Sequence, residues 1–284
     1  MELFKDVFVL IQYIVFNHNF EIRGQPRGCP QFFMLYIFIF ILGLIIGSFL
    51  NVVIFRLETE KSILFGRSFC PKCRAVLKWY DLIPVISFLI QKGKCRYCDK
   101  KISWQYPVVE ISTAFLFLLI FKEFSFFQIP NLICFLIIIC FLIIIFVYDL
   151  KHYIIPDKIV FPVIVISLIY RLGSISEIGN YLLSAFIPAA FFLSLIIISK
   201  GKWMGLGDVK LAFLMGLILG WPGILIALLL SFFSGSIIGI FLILFGKKGL
   251  KSQIPFGPFL VGATVLVIFF GTELFYWLKL LLYF

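Results

Sequence analysis

Ile133 to Asp149 reads ICFLIIICFLIIIFVYD, sixteen uncharged and mostly apolar residues closed by a single carboxylate. With Asn131 and Leu132 ahead of it, the run approaches the ~20 residues that a membrane-spanning helix needs. Seven similar runs flank it, at about 33–55, 107–121, 159–172, 181–199, 209–221, 223–245 and 256–284. Turn chemistry separates them: Ile129-Pro130-Asn131, Ile155-Pro156-Asp157, Gly173-Ser174, Gly201, Trp221-Pro222-Gly223 and the stretch from Gly246 to Pro255. The chain has 284 residues, of which 62% are hydrophobic and 14% charged. A soluble domain of this size could not hide so much apolar side chain, because its surface needs polar cover. The composition also excludes disorder. It predicts an all-α polytopic membrane protein of about eight transmembrane helices, embedded in a lipid bilayer. No internal repeat is visible, which weakens a transporter built from two similar halves.

The first 32 residues stand apart as an extension of unknown role. Val7 to Phe16 is too short to span and lacks a positive flank and a small-residue cleavage site. It reads as an interfacial helix or an inert extension rather than a cleaved signal. The expected organisation is then 1–32, a first span at 33–55, a polar insertion at 56–106, and a membrane domain of about seven helices at 107–284.

The net charge of +11 raises the question of nucleic acid. The basic residues sit between apolar runs, so they are topology signals and predict no nucleic-acid partner. Eleven Lys and Arg lie in 56–106. If that insertion is cytoplasmic, strict alternation puts three more loops on its side, with Lys151 and Lys158, then Lys200, Lys202 and Lys210, then Lys247, Lys248 and Lys251. Nineteen of the 25 basic residues then face the cytoplasm. Independent loops agreeing on one alternation support both the span count and the orientation.

Within the insertion, Cys70-x2-Cys73 and Cys95-x2-Cys98 are separated by 21 residues. Each pair brings two thiolates to one side of a tight knuckle, and two knuckles make a tetrahedral four-sulfur site. Zinc is the expected ion; four free or redox-active cysteines are the alternative. A closed four-thiolate site has no open position for water, so its role is structural. It would fold a segment of ~50 residues whose core is too small to fold alone. Cys134 and Cys140 read as small apolar core residues, and Cys29 has no evident partner.

Four carboxylates lie at membrane depth or its edge: Glu110, Asp149, Asp157 and Asp208. Ionisable groups are expensive there, so each is a functional candidate. Each also has a plain reading. Asp208, in Gly205-Leu206-Gly207-Asp208, and Asp157, after Pro156, have the look of N-caps. Asp149 could snorkel to headgroups, and Glu110 lies near the interfacial aromatics Trp104 and Tyr106. Asp149 ends a span running inward and Asp208 opens a span running outward, so both sit at one depth on one side. That is the placement two carboxylates need to share a water and a proton. Asp149 also sits at a helix C-terminus, where the helix dipole repels an anion, so something else should hold it.

Five ordered blocks resemble the prepilin peptidase family of GxGD membrane aspartyl proteases. They are Gly47-Ser48-Phe49-Leu50-Asn51-Val52-Val53 with Arg56-Leu57; the cysteine pairs with Asp81-Leu82-Ile83-Pro84 and Ile102 through Glu110; Asp149 with Ile155-Pro156-Asp157; Gly205 through Leu211; and Ile254-Pro255-Phe256-Gly257-Pro258-Phe259. The resemblance runs from about residue 36 to the end. It implies Asp149 and Asp208 as the catalytic pair. It implies a place in the cytoplasmic (inner) membrane of a prokaryote, and removal there of a basic leader from type IV prepilins or pseudopilins after Gly, at the cytoplasmic face. It also implies N-methylation of the new N-terminal residue using S-adenosylmethionine, with Gly93 matching a family glycine associated with that activity. No cofactor loop in the sequence itself displays the methyl transfer.

The residue inventory fits an aspartic mechanism, since no Ser-His or Cys-His arrangement is evident and His18 and His152 are the only histidines. Two rival readings remain. One is a proton-coupled transporter or channel using the aspartates as a relay. The other is a GxGD protease for another signal class, such as preflagellin, against which the four-cysteine insertion and the Gly47 block argue.

Overall fold

The computed structural model describes residues 30–59, 66–124, 128–173, 177–245 and 254–282. The expected interfacial helix at 7–16 and Cys29 lie outside them. The chain forms two compact units, Met1–Phe38 and Ile39–Phe284. Of the first, only the start of one helix is described; the second holds the bundle and the insertion.

Eight long helices carry the fold among the described residues: α1 Pro30–Glu58, α2 Gln105–Glu123, α3 Ile129–His152, α4 Asp157–Leu172, α5 Ile178–Ser199, α6 Leu206–Leu219, α7 Gly223–Leu244 and α8 Gly257–Leu282. They lie where the eight apolar runs lie. No strand occurs among these residues, only two isolated bridges in the polar insertion. Six helices are long and apolar enough to cross a membrane. The other two, α4 with 16 residues and α6 with 14, fall short of the ~20 residues of a full span.

The short helices nevertheless traverse the bundle. Asp157 at the start of α4 pairs with Lys210 near the start of α6, at 2.6 Å. Arg171 in the last turn of α4 donates to the carbonyls of Leu217 and Ile218 at the end of α6. So α4 and α6 run side by side in the same direction. Tyr170 of α4 packs edge-on against Phe135 near the start of α3, so α3 runs the opposite way. Asn180, at the start of α5, bonds Trp221, just past the end of α6.

Helix α6 sits at the centre. It packs on α4, α5, α7 and α8, and Leu211, Ala212, Leu214, Met215 and Leu217 are fully buried. A central helix that ends early leaves carbonyls where water cannot reach them. Arg171 answers that need. Its guanidinium caps the last carbonyls of α6 and lies 3.6 Å over the Tyr181 ring, opposite the negative end of the helix dipole.

Close backbone approach is built on glycine at two junctions. A Cβ at Gly43 or Gly47 would run into the α2 backbone at Ala114 and Glu110, and one at Gly216 would collide with Ser184 and Ala185 of α5. Gly216→Val should therefore force α5 and α6 apart, costing about 1–3 kcal/mol or more. Gly262→Ala meets nothing within 4 Å and should be neutral. Melting of the two variants in one detergent, compared with wild type, checks this: a sharp fall for the first only.

Candidate active site and metal centre

Asp149 lies in the last turn of α3 and is 4% exposed. The helix ends four residues later at Tyr153, which takes the left-handed conformation with φ 59° and closes the turn onto the Asp149 carbonyl. The chain then doubles back through Ile154, Ile155 and Pro156 into α4. Ile155 is buried, and two glycines face its side chain. A Cβ on Gly207 would come within 3.0 Å of Ile155 Cβ, and one on Gly257 within 3.4 Å of its Cδ1. This one side chain therefore touches the Gly-x-Gly-Asp turn of α6 and the first residue of α8 together.

The repulsion expected for an anion at the end of α3 is answered there. The Gly257 N–H, at the N-terminus of α8, donates to the Asp149 carboxylate, so the positive end of one helix dipole offsets the negative end of another. A Cβ at Gly257 would collide with Asp149 Oδ2 and come within 3.0 Å of its Cγ. Only glycine lets backbone and carboxylate meet this closely. Asp208 is held in a parallel way. It is the third residue of α6, and its Oδ2 accepts the Gly205 N–H at 3.3 Å. Asp208 also senses the charge of Asp149. The two carboxylates thus stand on different helices at one end of the bundle, each steadied by a glycine N–H.

Two readings of the sequence need correction. Asp157 is not an N-cap: Pro156 precedes α4, and no side chain caps it. Asp157 is the first helical residue, and its carboxylate pairs with Lys210 instead. Asp208 is not an N-cap either, since that position belongs to Gly205. The sequence left Glu110 open between the interface and the bundle. It faces inward, 6% exposed, with Oε2 accepting the Val85 N–H at 2.7 Å and the Ser48 hydroxyl beside it. The holding role of Gly257 was missed. Its signal is the Pro-Phe-Gly-Pro sequence opening a helix, which marks a bare, anion-ready N-terminus.

The insertion between α1 and α2 is organised by its cysteines. Each Cys-x2-Cys pair makes the same knuckle. In the first, the Cys70 N–H bonds the Ala75 carbonyl and the Arg74 N–H the Cys70 carbonyl; in the second, Cys95 with Lys100 and Asp99 repeat both bonds at 2.9 Å. Arg74 and Asp99, one residue past each pair, take positive φ. The four sulfurs lie within 4.8 Å of one another. A tetrahedral site with ~2.3 Å metal–sulfur bonds needs sulfurs about 3.8 Å apart, so the set fits a soft cation with small adjustment. Burial pushes the Cys70 thiol up, but backbone N–H groups of Cys73 and Lys72 outweigh it and bring it down to about 7. Asp81 ties the knuckles to the rest of the insertion through Arg96, Tyr97 and Gln91. Gly93 takes φ +69° and backs the Phe88 ring, 3.2 Å from where a Cβ would stand.

An acidic pair in a helix bundle, a four-sulfur insertion and their order in the chain agree with the comparisons. Residues 41–124 match the bacterial peptidase A24 N-terminal domain, and residues 136–240 match the type IV leader peptidase family. The chain belongs to this family. A relative in Legionella pneumophila, named prepilin leader peptidase/N-methyltransferase, is 31% identical over 86% of this chain and 94% of its own length. One of the same name in Bacillus subtilis is 33% identical over 83% of this chain and 94% of its own. A third, in Myxococcus xanthus, is 34% identical over 76% of this chain and 66% of its own. No solved structure matches.

Elemental analysis of the purified leader peptidase-family chain should find about one ion per chain held by the four cysteines. Cys73→Ser should release it and loosen the insertion, read as faster proteolysis there. A folded, protease-resistant wild-type chain without stoichiometric metal would refute the metal centre.

Proposed function

We propose that this chain removes the basic leader of type IV prepilins or pseudopilins after Gly at the cytoplasmic membrane face, and methylates the new N-terminus. The observation that supports the peptidase reading is that Asp149 and Asp208 stand at one end of the bundle within electrostatic reach of each other, each hydrogen-bonded by a glycine N–H at a helix N-terminus. Two close carboxylates work as a unit with one proton between them. The ionised member takes a proton from water as its oxygen attacks the scissile carbonyl. The protonated member donates to the carbonyl oxygen. Gly205 leaves room beside Asp208 for an extended substrate backbone, since a Cβ there would meet nothing nearer than the Gly207 nitrogen at 3.9 Å. The polypeptide presented here would be the leader, where it meets the apolar helix of the pilin.

Zinc is the ion that the four cysteines fit best, four thiolates being its structural donor set. When bound it supplies folding, not chemistry on the peptide. The methyl-transfer activity is supported by the names of the relatives; S-adenosylmethionine would be the donor. The charge distribution supports an insertion and an aspartate pair facing the cytoplasm.

Asp149→Asn and Asp208→Asn should each abolish leader removal, since Asn keeps the shape and cannot carry the proton. Gly257→Ala, which forces the Asp149 carboxylate aside, should lower the rate by roughly a hundredfold. Asp157→Asn loses only an exposed ion pair and should cost about 1 kcal/mol of stability or less. Co-expression with a prepilin from the same genome, read by mass, checks the first three, and melting in detergent the fourth; retained cleavage in either of the first two variants removes the pair from catalysis.

Orientation is tested separately. Reporters fused after Ile90, Ile155, Trp203 or Leu250 should register the cytoplasm, and those after Phe127, Ile175 or Pro222 the outside. A swap between the two sets overturns the orientation.

A further inference from the structure

We infer that residues 79–90, in the spacer between the two cysteine knuckles, form an interfacial anchor that rests the insertion on the anionic headgroups of the bilayer that α2 crosses. The inference goes beyond the peptidase reading and does not depend on it, since it needs only that α2 spans the membrane. Trp79, Leu82, Ile86, Leu89 and Ile90 all fall in this stretch and are between 39 and 77% exposed. Its short helix, Ile86–Ile90, buries only Phe88. Large apolar side chains gathered on one short exposed stretch mark a surface made to meet something other than water.

Two contacts fix the depth of the stretch. The Val85 N–H donates to Glu110 Oε2 at 2.7 Å, and the Phe88 ring packs edge-on against Trp104, with centroids 5.0 Å apart. Trp104 directly precedes α2, and Glu110 lies in its second turn. Helix α2 has 19 residues. Its rise of about 28 Å leaves nothing to spare against a hydrocarbon core of about 30 Å. Its first turns therefore lie at the membrane boundary, where a tryptophan such as Trp104 is at home. The turn at Val85 and the short helix after it are held level with them. That turn is tight: Val85 takes φ +59°, and the Ile86 N–H bonds the Pro84 carbonyl across it. A β-branched residue adopts this conformation under strain, and the bond from its N–H to the buried Glu110 carboxylate helps to hold it.

The charges say which surface is met. Lys78 precedes the stretch and Lys92 and Lys94 follow it, all three exposed. The one acid between them, Asp81, has a side chain only 2% exposed and pairs with Arg96. Lysines at both ends of a surface bearing Trp, Leu and Ile, with no exposed acid between them, suit a layer of anionic headgroups over acyl chains. The anchor also explains why the spacer of 21 residues is apolar at its centre. Each knuckle closes through its own backbone bonds, from Cys70 to Ala75 and from Cys95 to Lys100, and needs no apolar spacer to do so. Resting on the bilayer, the spacer would hold both knuckles at the membrane surface, beside the point where α2 enters it.

Tryptophan quenching in nanodiscs of phosphatidylcholine and phosphatidylglycerol tests this. The full-length chain carries Trp104→Phe, Trp203→Phe, Trp221→Phe and Trp277→Phe, so that Trp79 alone reports, and its melting is matched to wild type. Trp79 should be quenched by lipids brominated near the headgroup end of the acyl chain, and by aqueous acrylamide far less than free tryptophan is. Leaving out phosphatidylglycerol should weaken the lipid quenching about twofold. Leu89→Glu with Ile90→Glu should cut it to about half or less and raise the acrylamide response. Should that double variant lose the protease resistance of its insertion, the parent chain decides alone. A Trp79 as open to acrylamide as free tryptophan, without lipid quenching, overturns the anchor. So does a Trp79 shielded from acrylamide yet untouched by brominated lipid, which would put a protein over the stretch. Unchanged lipid quenching in the folded double variant overturns it too, and equal quenching in pure phosphatidylcholine overturns the assignment to anionic headgroups.

Discussion

An anion buried at the wrong end of a helix is the constraint around which this bundle is arranged. Asp149 closes α3, where the unpaired carbonyls and the dipole both oppose a carboxylate. The compensation is another helix end. Helix α8 begins at Gly257, and its first N–H points at the Asp149 carboxylate. That contact needs a residue without Cβ, and it needs α8 to start at the depth where α3 stops. It also needs Ile155 to fill the space between Gly257 and Gly207. Three connections are thereby brought to one point: the reversal after α3, the Gly-x-Gly-Asp turn, and the start of α8. The placement of Asp208 beside Asp149 follows from the same packing.

How much of this could be read in the sequence depended on the range of the interaction. The eight helices were legible because apolar runs and their breaks are local properties of the chain. The knuckles were legible because two Cys pairs fix a local turn, and each closes with the same two backbone bonds. The depth of Asp149 and Asp208 could be reasoned from alternation alone. What held Asp149 was not legible, because Gly257 is 108 residues downstream and nothing local ties the two. Asp157 was misread for a related reason. Its place after Pro156 is a local cap signal, but Lys210 on α6 competes for the carboxylate and wins in the folded chain. Glu110 stayed open because its burial depends on the insertion folding back to present Val85.

The short helices follow from the same economy of polar contacts. A helix buried on all sides by other helices has no need to match the bilayer, provided its ends are satisfied inside the protein. Helix α6 meets that condition with Asp208 at one end and Arg171 at the other. Each end carries a charge opposite in sign to the local dipole. The pair of charges fixes α6 lengthwise, so the depth of Asp208 is set at both ends of its helix.

The four-cysteine insertion extends this logic to the polar side. Glu58 at the end of α1 bonds Lys151 at 2.9 Å and His152 at 3.3 Å, which joins the helix entering the insertion to the helix that carries Asp149. Glycines 43 and 47 let α1 and α2 touch backbone to backbone, so the two strands of chain leading into and out of the insertion are fixed together. The knuckles therefore stand over a rigid base, and the buried Glu110 belongs to that base. A long, basic, core-poor segment can keep a defined position over a membrane enzyme when both its roots are clamped and its centre gathers four cysteines into one cluster. The last turn of α3 is then common to both halves, with Asp149 on one face and Lys151 on the other.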